Sequence, residues 1–340
     1  MASSELNFVI DSHIPFIKGV LEPFGTVRYL APAQIDAAAV RDADALLVRT
    51  RTRCDERLLD SAPRCRFVGT ATIGLDHIDR EYCAGRGIAV TNAPGCNAPA
   101  VAQYVFSAIG HLINRPVGQY TLGIVGVGHV GSIVKEWAEG LGMRVLCCDP
   151  PRQRAGDAGE WVTLEDIAAH SDIVTMHTPL TRTGQDATFH LAGREFFRSL
   201  RRCPIFINAA RGPVTDTAAL LEAIDTRQVF QTVIDTWEGE PCISPELLER
   251  ATIATPHIAG YSLDGKVRAT RMVLDKLSET LGLPHLDMPG VRQPVAVPGR
   301  IRLRQAVDSY NIMADDRQLR RSPATFEAQR DNYPLRDEIG

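Results

Sequence analysis

Short apolar segments alternate with segments of helical spacing through most of this 340-residue chain. A first series of apolar runs, typical of strands, covers LNFVID (6–11), ALLVRT (45–50), RFVGTAT (66–72) and GIAVTNA (87–93). Helical patterns lie between them, including AQIDAAAVRDA (33–43) and DERLLDSA (55–62). Such alternation is typical of parallel βαβ units, whose sheets are covered by helices. The pattern therefore predicts an α/β fold.

A second series of apolar runs follows in the middle of the chain. It comprises TLGIVGVG (121–128), RVLCCD (144–149), DIVTMHT (172–178), PIFINAA (204–210), FQTVID (230–235) and TIATPHI (252–258). Their near-continuous apolar content indicates strands that are covered on both faces. Two such series predict two doubly wound parallel-sheet domains. Long helical patterns, at about 97–114 and about 263–281, precede and follow the second series.

The character of the chain changes after Leu281. LPHLDMPGVRQPVAVPGR (283–300) is rich in Pro and Gly, which predicts a linker with edge-strand material. Residues 300–340 contain many arginines that are balanced by acids. This stretch is predicted to be a small appended domain or an oligomerisation arm, the alternative being a partly disordered tail.

Overall charge and cysteine spacing indicate which partners, metal sites and locations the sequence does not favour. A net charge of −4 gives no support for a nucleic-acid or membrane-surface partner. The start, MASSELNFVID, lacks the features of a signal peptide, and no apolar run is long enough for a membrane-spanning helix. The eight cysteines are scattered without a C-x-x-C pair, so we expect reduced thiols, no metal site and a cytoplasmic location.

GIVGVGHVGS (123–132) contains Gly126, Gly128 and Gly131 in G-x-G-x-x-G spacing. Glycine triplets also occur in ordinary loops, but here a predicted strand precedes the motif and a predicted helix follows it. The first glycine permits a tight turn, the second admits a pyrophosphate, and the third lets the helix pack closely on the strand. Free N–H groups at the helix N-terminus then face the phosphates. The motif predicts a dinucleotide site.

Asp149 ends the next predicted strand, where an acidic side chain can bind both ribose hydroxyls of the cofactor. Its negative charge disfavours a 2′-phosphate, so NAD is predicted rather than NADP. Arg152, three residues further on, is the one nearby residue that would suit a 2′-phosphate.

Three late segments place reactive side chains just beyond predicted strands. They are Arg211 in NAARGPVTD (208–216), Asp235 and Glu240 in IDTWEGEP (234–241), and His257 in TPHIAGY (255–261). Each has an ordinary structural alternative: a surface ion pair for Arg211, a solvated loop for Glu240 and core packing for His257. Because the carboxyl ends of parallel strands face one crevice, we expect these side chains to converge.

These motifs together resemble the D-isomer-specific 2-hydroxyacid dehydrogenase family. The resemblance rests on FVGTATIGLDHID (67–79), NAPGCNAPAVAQYVFSA (92–108), GIVGVGHVGS, LCCDPPR (146–152), MHTPL (176–180), NAARGPV, DTWEGEP and HIAGYSLDGK (257–266). It covers residues 1–281 strongly and continues more faintly to the end. The chain departs from the family pattern at Gln103 and His129, where Glu and Asn are usual, and at Thr50, which replaces a serine.

The resemblance implies a Rossmann-type NAD domain (101–259) inserted in a flavodoxin-like substrate domain (1–100 and 260–282). A small α+β dimerisation segment (283–340), shorter than is usual, would follow, and the protein would be a homodimer. His257 would act as acid/base, paired with Glu240, while Arg211 would bind the substrate carboxylate. The implied cofactor contacts are Gly126, Gly128, His129, Val130, Gly131, Asp149, Thr178, Ala209, Ala210, Arg211, Asp235 and Gly260.

The predicted substrate is a small phosphorylated 2-hydroxy acid, oxidised with NAD. The resemblance assigns substrate contacts to Thr50, Thr70 and Tyr261. A 4-phosphorylated acid needs a further cation, for which Arg49 is the first candidate, with Arg51, Arg53 and Lys266 as others. Two alternatives remain open at this point: a dehydrogenase of phosphoglycerate or short 2-hydroxy acids, and an NAD(H)-sensing module without turnover.

Overall fold

The computed structural model describes residues 5–202 and 204–340, which form two compact units. The first unit runs to Asn97 and includes Leu263–Pro294, and the second comprises Ala98–Ser262 and Val295–Gly340. Along the chain, residues 98–262 of the second unit are thus inserted in the first unit, and residues 295–340 follow it. The predicted domain boundaries near residues 100 and 260 lie close to these divisions, whereas the predicted C-terminal segment is shared between the two units.

The described residues contain eleven strands. They are β1 (Leu6–Asp11), β2 (Gly25–Leu30), β3 (Ala45–Val48), β4 (Phe67–Thr70), β5 (Ala89–Thr91), β6 (Thr121–Val125), β7 (Arg144–Cys148), β8 (Ile173–Met176), β9 (Ile205–Asn208), β10 (Gln231–Ile234) and β11 (Ile253–Ala254).

Thirteen α-helices connect or cover these strands in the described part of the chain. They are α1 (Glu56–Leu59), α2 (Arg80–Gly85), α3 (Ala98–Leu112), α4 (His129–Gly140), α5 (Pro150–Arg154), α6 (Leu164–His170), α7 (Arg194–Ser199), α8 (Thr217–Asp225), α9 (Pro245–Arg250), α10 (Leu263–Leu281), α11 (Leu303–Ser309), α12 (Ile312–Arg321) and α13 (Phe326–Asp331).

The first unit is built on a parallel five-stranded sheet in the order β2-β1-β3-β4-β5. This is the order of flavodoxin-like folds, as predicted. Apolar side chains cover both faces of its central strands, and α10 contributes Val267, Val273, Leu274 and Leu277 to one of the two cores. Burial on both faces explains why these strands are nearly continuous apolar runs in the sequence.

The second unit contains a parallel six-stranded sheet in the order β11-β10-β9-β8-β6-β7. A single-residue parallel bridge from Cys147 to Trp161 lies beyond β7. If Trp161 is counted as a rudimentary third strand, the order is that of a dinucleotide-binding doubly wound sheet. The predicted Rossmann-type domain is therefore confirmed.

The strands of the second sheet end in one register row. Cys148, Val125, Met176, Asn208, Ile234 and Ala254 lie opposite one another across the sheet. The residues that follow this row therefore emerge along one edge. They include the glycine turn, Asp149, the Arg211 loop, Asp235 and the segment that leads to His257.

Two predictions about the first unit were wrong. A helix was predicted over 33–43, but the chain forms a 3₁₀ turn at Pro32–Gln34 followed by further turns. Asp36 accepts a hydrogen bond from the Ala39 N–H, and Arg28 donates to the Ala39 carbonyl, so local side-chain contacts override the helix propensity of alanine. Strand β2 was missed because it is a partly exposed edge strand in which polar residues alternate with apolar ones.

The predicted β content of the C-terminal segment is also wrong, since residues 283–340 form three helices and one single-residue bridge between Ser262 and Arg336. The Pro- and Gly-rich stretch 283–300 is extended but does not pair, because prolines lack the N–H groups that a ladder needs. Helix α11 packs on α3, where Ser107 donates to the carbonyl of Tyr310. In the part of the chain that the structure describes, no helix is long and apolar enough to cross a membrane.

Candidate active site

The glycine turn lies between β6 and α4, as predicted. Gly126 has a φ of +87°, and Gly131 packs so closely that an added Cβ would lie 2.1 Å from the Gly126 carbonyl oxygen. Side chains at these two positions would break the turn. His129 and Val130 begin α4, whose first N–H groups therefore face outward from the sheet edge.

Two observations show that this turn fits a dinucleotide. A Cβ added to Gly128 would meet nothing within 4 Å, so the backbone there is open to a phosphate group. The hydroxyl of Thr178, on the loop after β8, is buried without a hydrogen-bond partner among the described residues. A buried hydroxyl usually has a partner, and a bound cofactor would supply one.

Asp149 follows β7, and its carboxylate lies over the glycine turn. It accepts hydrogen bonds from the N–H groups of Val127 at 2.8 Å and Arg152 at 3.2 Å. The Arg152 guanidinium donates to Asp157 and to the Val127 carbonyl, both at 2.5 Å. Because Arg152 is already paired with an acid, its presence does not favour a 2′-phosphate. The arrangement agrees with NAD as the cofactor.

His177 precedes Thr178, and its Nε2 lies 2.9 Å from the hydroxyl of the buried Thr175. Burial lowers the pKa of His177 to about 3, well below the ordinary value of 6.5. Between these values the unfolded chain binds a proton at His177 and the folded chain does not. Its contribution to stability is therefore fully present above pH 6.5 and declines as the pH falls towards 3.

We predict that His177→Asn, which cannot titrate, makes stability less sensitive to acid. Urea unfolding of both proteins at about pH 7.5 and about pH 5 measures the effect, which is at most about 1.4 kcal/mol per pH unit. The wild-type protein should lose more stability than the variant between the two pH values. Equal losses would show that His177 does not take part in acid destabilisation.

Arg211 lies on a loop that the side chain of Asn208 organises. The Asn208 Oδ1 accepts from the Ala210 N–H at 3.1 Å and from the Thr236 hydroxyl at 3.2 Å. Its Nδ2 donates to the Arg211 carbonyl at 3.1 Å and to the Thr215 hydroxyl at 3.0 Å. The Arg211 guanidinium donates to the Ala210 carbonyl at 2.7 Å, and its other N–H groups carry no further hydrogen bond among the described residues. These donors are available for a carboxylate.

Glu240 and His257 form a hydrogen-bonded pair. The His257 Nδ1 lies 2.8 Å from one carboxylate oxygen of Glu240, and the other oxygen accepts from the Trp237 N–H at 2.7 Å. Burial alone raises the pKa of the Glu240 carboxyl, but the hydrogen bond and charge of His257, the Trp237 N–H and the charge of Arg330 together outweigh this effect, so the pKa lies below its ordinary value. Glu240 is therefore a carboxylate that fixes the orientation of the imidazole.

Asp235 is buried at the end of β10 and binds the backbone around His257. Its carboxylate accepts from the N–H groups of Ile258 at 2.8 Å and Ala259 at 3.0 Å, and from the Thr255 hydroxyl at 2.7 Å. Burial raises the pKa of Asp235 above its ordinary value, although His257 and these three donors oppose the shift. The sequence predicted a cofactor contact here, and the structure gives Asp235 a second task, which is to hold the histidine loop.

The three loops that carry the reactive residues contact one another. A Cβ added to Gly212 would lie 1.9 Å from the Trp237 carbonyl oxygen, so the Arg211 and Glu240 loops pack backbone against backbone. The Trp237 indole N–H donates to the Thr255 carbonyl at 2.9 Å, which ties the Glu240 loop to the segment before His257. The structure thus brings the predicted Arg, Glu and His into one constellation.

The remaining predicted residues of this unit lie on the same loops. Ala209 and Ala210 precede Arg211, while Gly260 and the half-buried Tyr261 follow His257. With Nδ1 bound to Glu240, the His257 Nε2 is the nitrogen that can exchange a proton with a ligand. A nicotinamide-dependent alcohol dehydrogenase needs a side chain that can act as acid/base, a cation for the substrate and a turn that binds the dinucleotide, and these loops offer candidates for each.

The first unit carries the other predicted substrate contacts at the carboxyl ends of β3 and β4. Thr70 is buried, and its hydroxyl lies 2.7 Å from that of Thr72 and 3.2 Å from the His77 Nε2. Arg49 and Thr50 directly follow β3. Arg53 is paired with Asp55 at 2.9 Å, which makes it a weaker candidate than Arg49 for a substrate phosphate.

Sequence reasoning missed the residues that support these loops. Asn208 interrupts an apolar strand with a buried amide, which is a usable signal for a loop-organising role. Trp237 and Thr255 lie within motifs that were recognised, but nothing in their spacing indicated that they contact each other. Arg336, which binds carbonyls next to His257, belongs to a distant segment and gave no signal.

Comparison with known proteins supports this assignment. Residues 103–259 match the family described as D-isomer specific 2-hydroxyacid dehydrogenase, NAD binding domain. Over 98% of its length the chain is 44% identical to the erythronate-4-phosphate dehydrogenase of Bacteroides thetaiotaomicron, of which 97% is covered. It is 42% identical to the enzyme of the same name from Sodalis glossinidius, with 98% and 92% of the two chains covered.

Solved structures show the same architecture. The D-lactate dehydrogenase from Aquifex aeolicus, complexed with NAD and lactic acid, matches with a TM-score of 0.67 and 25% sequence identity. The match covers 81% of this chain and 96% of the other.

Proposed function

This chain belongs to the erythronate-4-phosphate dehydrogenases within the D-isomer specific 2-hydroxyacid dehydrogenase family, and we propose that it oxidises 4-phospho-D-erythronate with NAD. The product is the 2-oxo acid 3-hydroxy-2-oxo-4-phosphobutanoate. The reaction is a step in pyridoxal 5′-phosphate biosynthesis. Similarity over nearly the full length supports the substrate. The 2.8 Å hydrogen bond between His257 and Glu240 is the observation that supports the proposed acid/base chemistry most directly.

His257 takes the proton of the substrate C2 hydroxyl at its Nε2. Glu240 accepts the hydrogen bond of the protonated Nδ1, which leaves the lone pair on Nε2. As the proton arrives, the positive charge that forms on the imidazole is stabilised by the adjacent carboxylate. The glycine turn, Asp149 and Thr178 would hold NAD, which would supply the acceptor for the hydride that leaves C2.

Arg211 binds the C1 carboxylate and the C2 oxygen of the substrate. A planar guanidinium can donate two parallel hydrogen bonds to these oxygens and counters the charge of the acid. Asn208 holds the backbone on both sides of this residue, so the guanidinium starts from a fixed loop. Tyr261, Thr50 and Thr70 are proposed as further substrate contacts, and Arg49 as the cation for the distal phosphate.

Assembly and location are parts of the same proposal. We propose a homodimer that uses the helical C-terminal segment, and a cytoplasmic enzyme.

A substrate panel tests the proposed reaction. NADH formation is measured with 4-phospho-D-erythronate, D-3-phosphoglycerate, D-lactate and D-glycerate. We predict a kcat/KM for 4-phospho-D-erythronate that exceeds those of the unphosphorylated acids by at least about 100-fold, since a lost phosphate contact of about 3 kcal/mol corresponds to that factor. Preference for an unphosphorylated acid would contradict the substrate. Tight NADH binding without turnover of any acid would indicate a sensing module instead.

A further inference from the structure

The side chain of Arg336, close to the C-terminus, binds the backbone that directly follows His257. Its Nη1 donates to the carbonyls of Ile258 and Tyr261, both at 3.1 Å, and its Nη2 donates to the carbonyl of Ala259. Nη2 also reaches the Ala100 carbonyl at 3.1 Å. One guanidinium thus satisfies three carbonyls of a single loop that contains the proposed cofactor and substrate contacts Gly260 and Tyr261.

The guanidinium itself is held in place by its surroundings. It lies over the ring of the buried Tyr310, 4.2 Å from the ring centroid. Ser262, at the end of the loop, donates a 2.6 Å hydrogen bond to Glu338, two residues beyond Arg336. The edge-to-face contact between Tyr261 and Tyr333 adds a third point of attachment. The C-terminal segment is therefore bound to this loop along its length.

Asp235 and Arg336 bind the peptide group between Ile258 and Ala259 from opposite ends, and each also binds one neighbouring peptide group. Asp235 accepts from the N–H groups of Ile258 and Ala259, whereas Arg336 donates to the carbonyls of the same two residues. A negative charge on the N–H side and a positive charge on the C=O side both stabilise the peptide dipoles in this orientation.

The loop needs such support because of the conformation of His257. This residue has a φ of +57°, in the left-handed region that is unfavourable for side chains other than glycine. Such a conformation persists only where the surrounding structure imposes it. The N–H of His257 is bound to the Asp235 carbonyl at 2.8 Å, and a 2.9 Å hydrogen bond from the Tyr261 N–H to the Ile258 carbonyl closes the turn that follows. Fixation of residues 258–261 by Arg336 completes the restraint.

We infer that Arg336 is a positioning residue for the proposed reaction, which keeps His257 aligned with Glu240 by clamping the carbonyls of Ile258, Ala259 and Tyr261. The expected loss of kcat rests on the proposed function. The expected loosening of the loop does not. This role also makes the activity dependent on the C-terminal segment, because that segment supplies the clamp.

Arg336→Met is the test variant, and Arg320→Met is the matched control. Arg320 is also a C-terminal arginine whose guanidinium binds backbone carbonyls, those of Leu248 in α9 and Ala251 at its end, and it pairs with Asp316 at 2.9 Å. Both variants remove one guanidinium and its carbonyl contacts. They therefore separate a loss of general stability from a loss of loop position.

Hydrogen–deuterium exchange of a peptide spanning residues 256–262 gives the readout that needs no activity. We expect exchange to be at least about 10-fold faster in Arg336→Met, because the amides bound to Asp235 open more often, and to change by less than about threefold in Arg320→Met. Steady-state kinetics should show kcat lowered about 10- to 100-fold in Arg336→Met, the usual cost of a small misalignment. NADH affinity should fall by a smaller factor than kcat, since Gly260 is the one proposed cofactor contact on the clamped loop and the glycine turn is untouched.

Arg336→Lys keeps the positive charge but places its donors on a single nitrogen. Its exchange rate and its kcat should therefore lie between those of the wild type and Arg336→Met. If Arg336→Met does not fold, Arg336→Lys is compared with Arg320→Met in its place. The inference is overturned if exchange of the loop is unchanged, or if kcat falls no further than in Arg320→Met. A wild-type protein that is inactive on 4-phospho-D-erythronate would contradict the proposed function, and the exchange measurement would still decide the role of Arg336.

Discussion

Replacement of His257 by alanine is expected to lower kcat by about 10²–10⁴-fold, the usual range for a lost general acid/base, while NADH affinity changes by less than about threefold. The ring is the proposed proton acceptor for the C2 hydroxyl, and water cannot replace it in a fixed position. The cofactor contacts proposed for the glycine turn and Asp149 are unaffected, so binding and chemistry should separate. Stopped-flow and steady-state kinetics, together with NADH fluorescence titration, measure both quantities.

Two further variants guard this result against a folding artefact. His257→Asn tolerates the left-handed backbone better than alanine does, so it should fold with less strain and still lose the rate. His170→Ala removes an exposed histidine whose ring binds the Asp166 carbonyl in its own helix, and this variant should behave as wild type. If kcat of His257→Ala or His257→Asn is close to that of His170→Ala, the proton acceptor lies elsewhere.

Arg211→Lys is expected to lower kcat/KM by about 10²–10³-fold, with losses in both kcat and substrate affinity. Lysine keeps the charge but loses the two parallel hydrogen bonds to the carboxylate and the C2 oxygen, which are worth about 3–4 kcal/mol together. That energy corresponds to the stated factor. Because the reacting oxygen is one of the two acceptors, the loss should not be confined to KM.

Arg198→Lys is the control for this substitution. Arg198 forms an exposed ion pair with Glu222 on the helical surface, where lysine can replace arginine at little cost. Unchanged kinetics in Arg198→Lys and a large loss in Arg211→Lys would assign the anion to Arg211. Unchanged kinetics in both would mean that the substrate carboxylate binds to another cation.

The strands of both sheets were predictable because burial on both faces leaves nearly continuous apolar runs. The glycine turn, Asp149 and the reactive Arg, Glu and His could also be located, since each directly follows such a run. Strand β2 could not be, because an edge strand buries only part of its surface and shows a weaker pattern. Residues 33–43 misled the prediction because Arg28 and Asp36 satisfy the Ala39 backbone in a turn.

The support of the site was less predictable than its reactive groups. Arg336 and Asp235 bind opposite ends of the peptide group between Ile258 and Ala259, but only the fold brings these residues together. The contacts of the buried Asn208 amide and the Trp237 indole were equally hard to predict, since their partners lie on neighbouring loops. Local sequence therefore indicates which residues react, and tertiary contacts decide how rigidly they are held.

Transfer of deuterium from C2 of the substrate tests the central claim most directly. The protein is incubated with NAD and 4-phospho-D-erythronate that carries deuterium at C2, and the reduced cofactor is analysed by mass spectrometry. The account predicts one deuterium in each NADH formed, with a proton released to solvent through His257 and a 2-oxo acid as the product. Reduced cofactor without deuterium, or no reduction of NAD by this substrate, would contradict it.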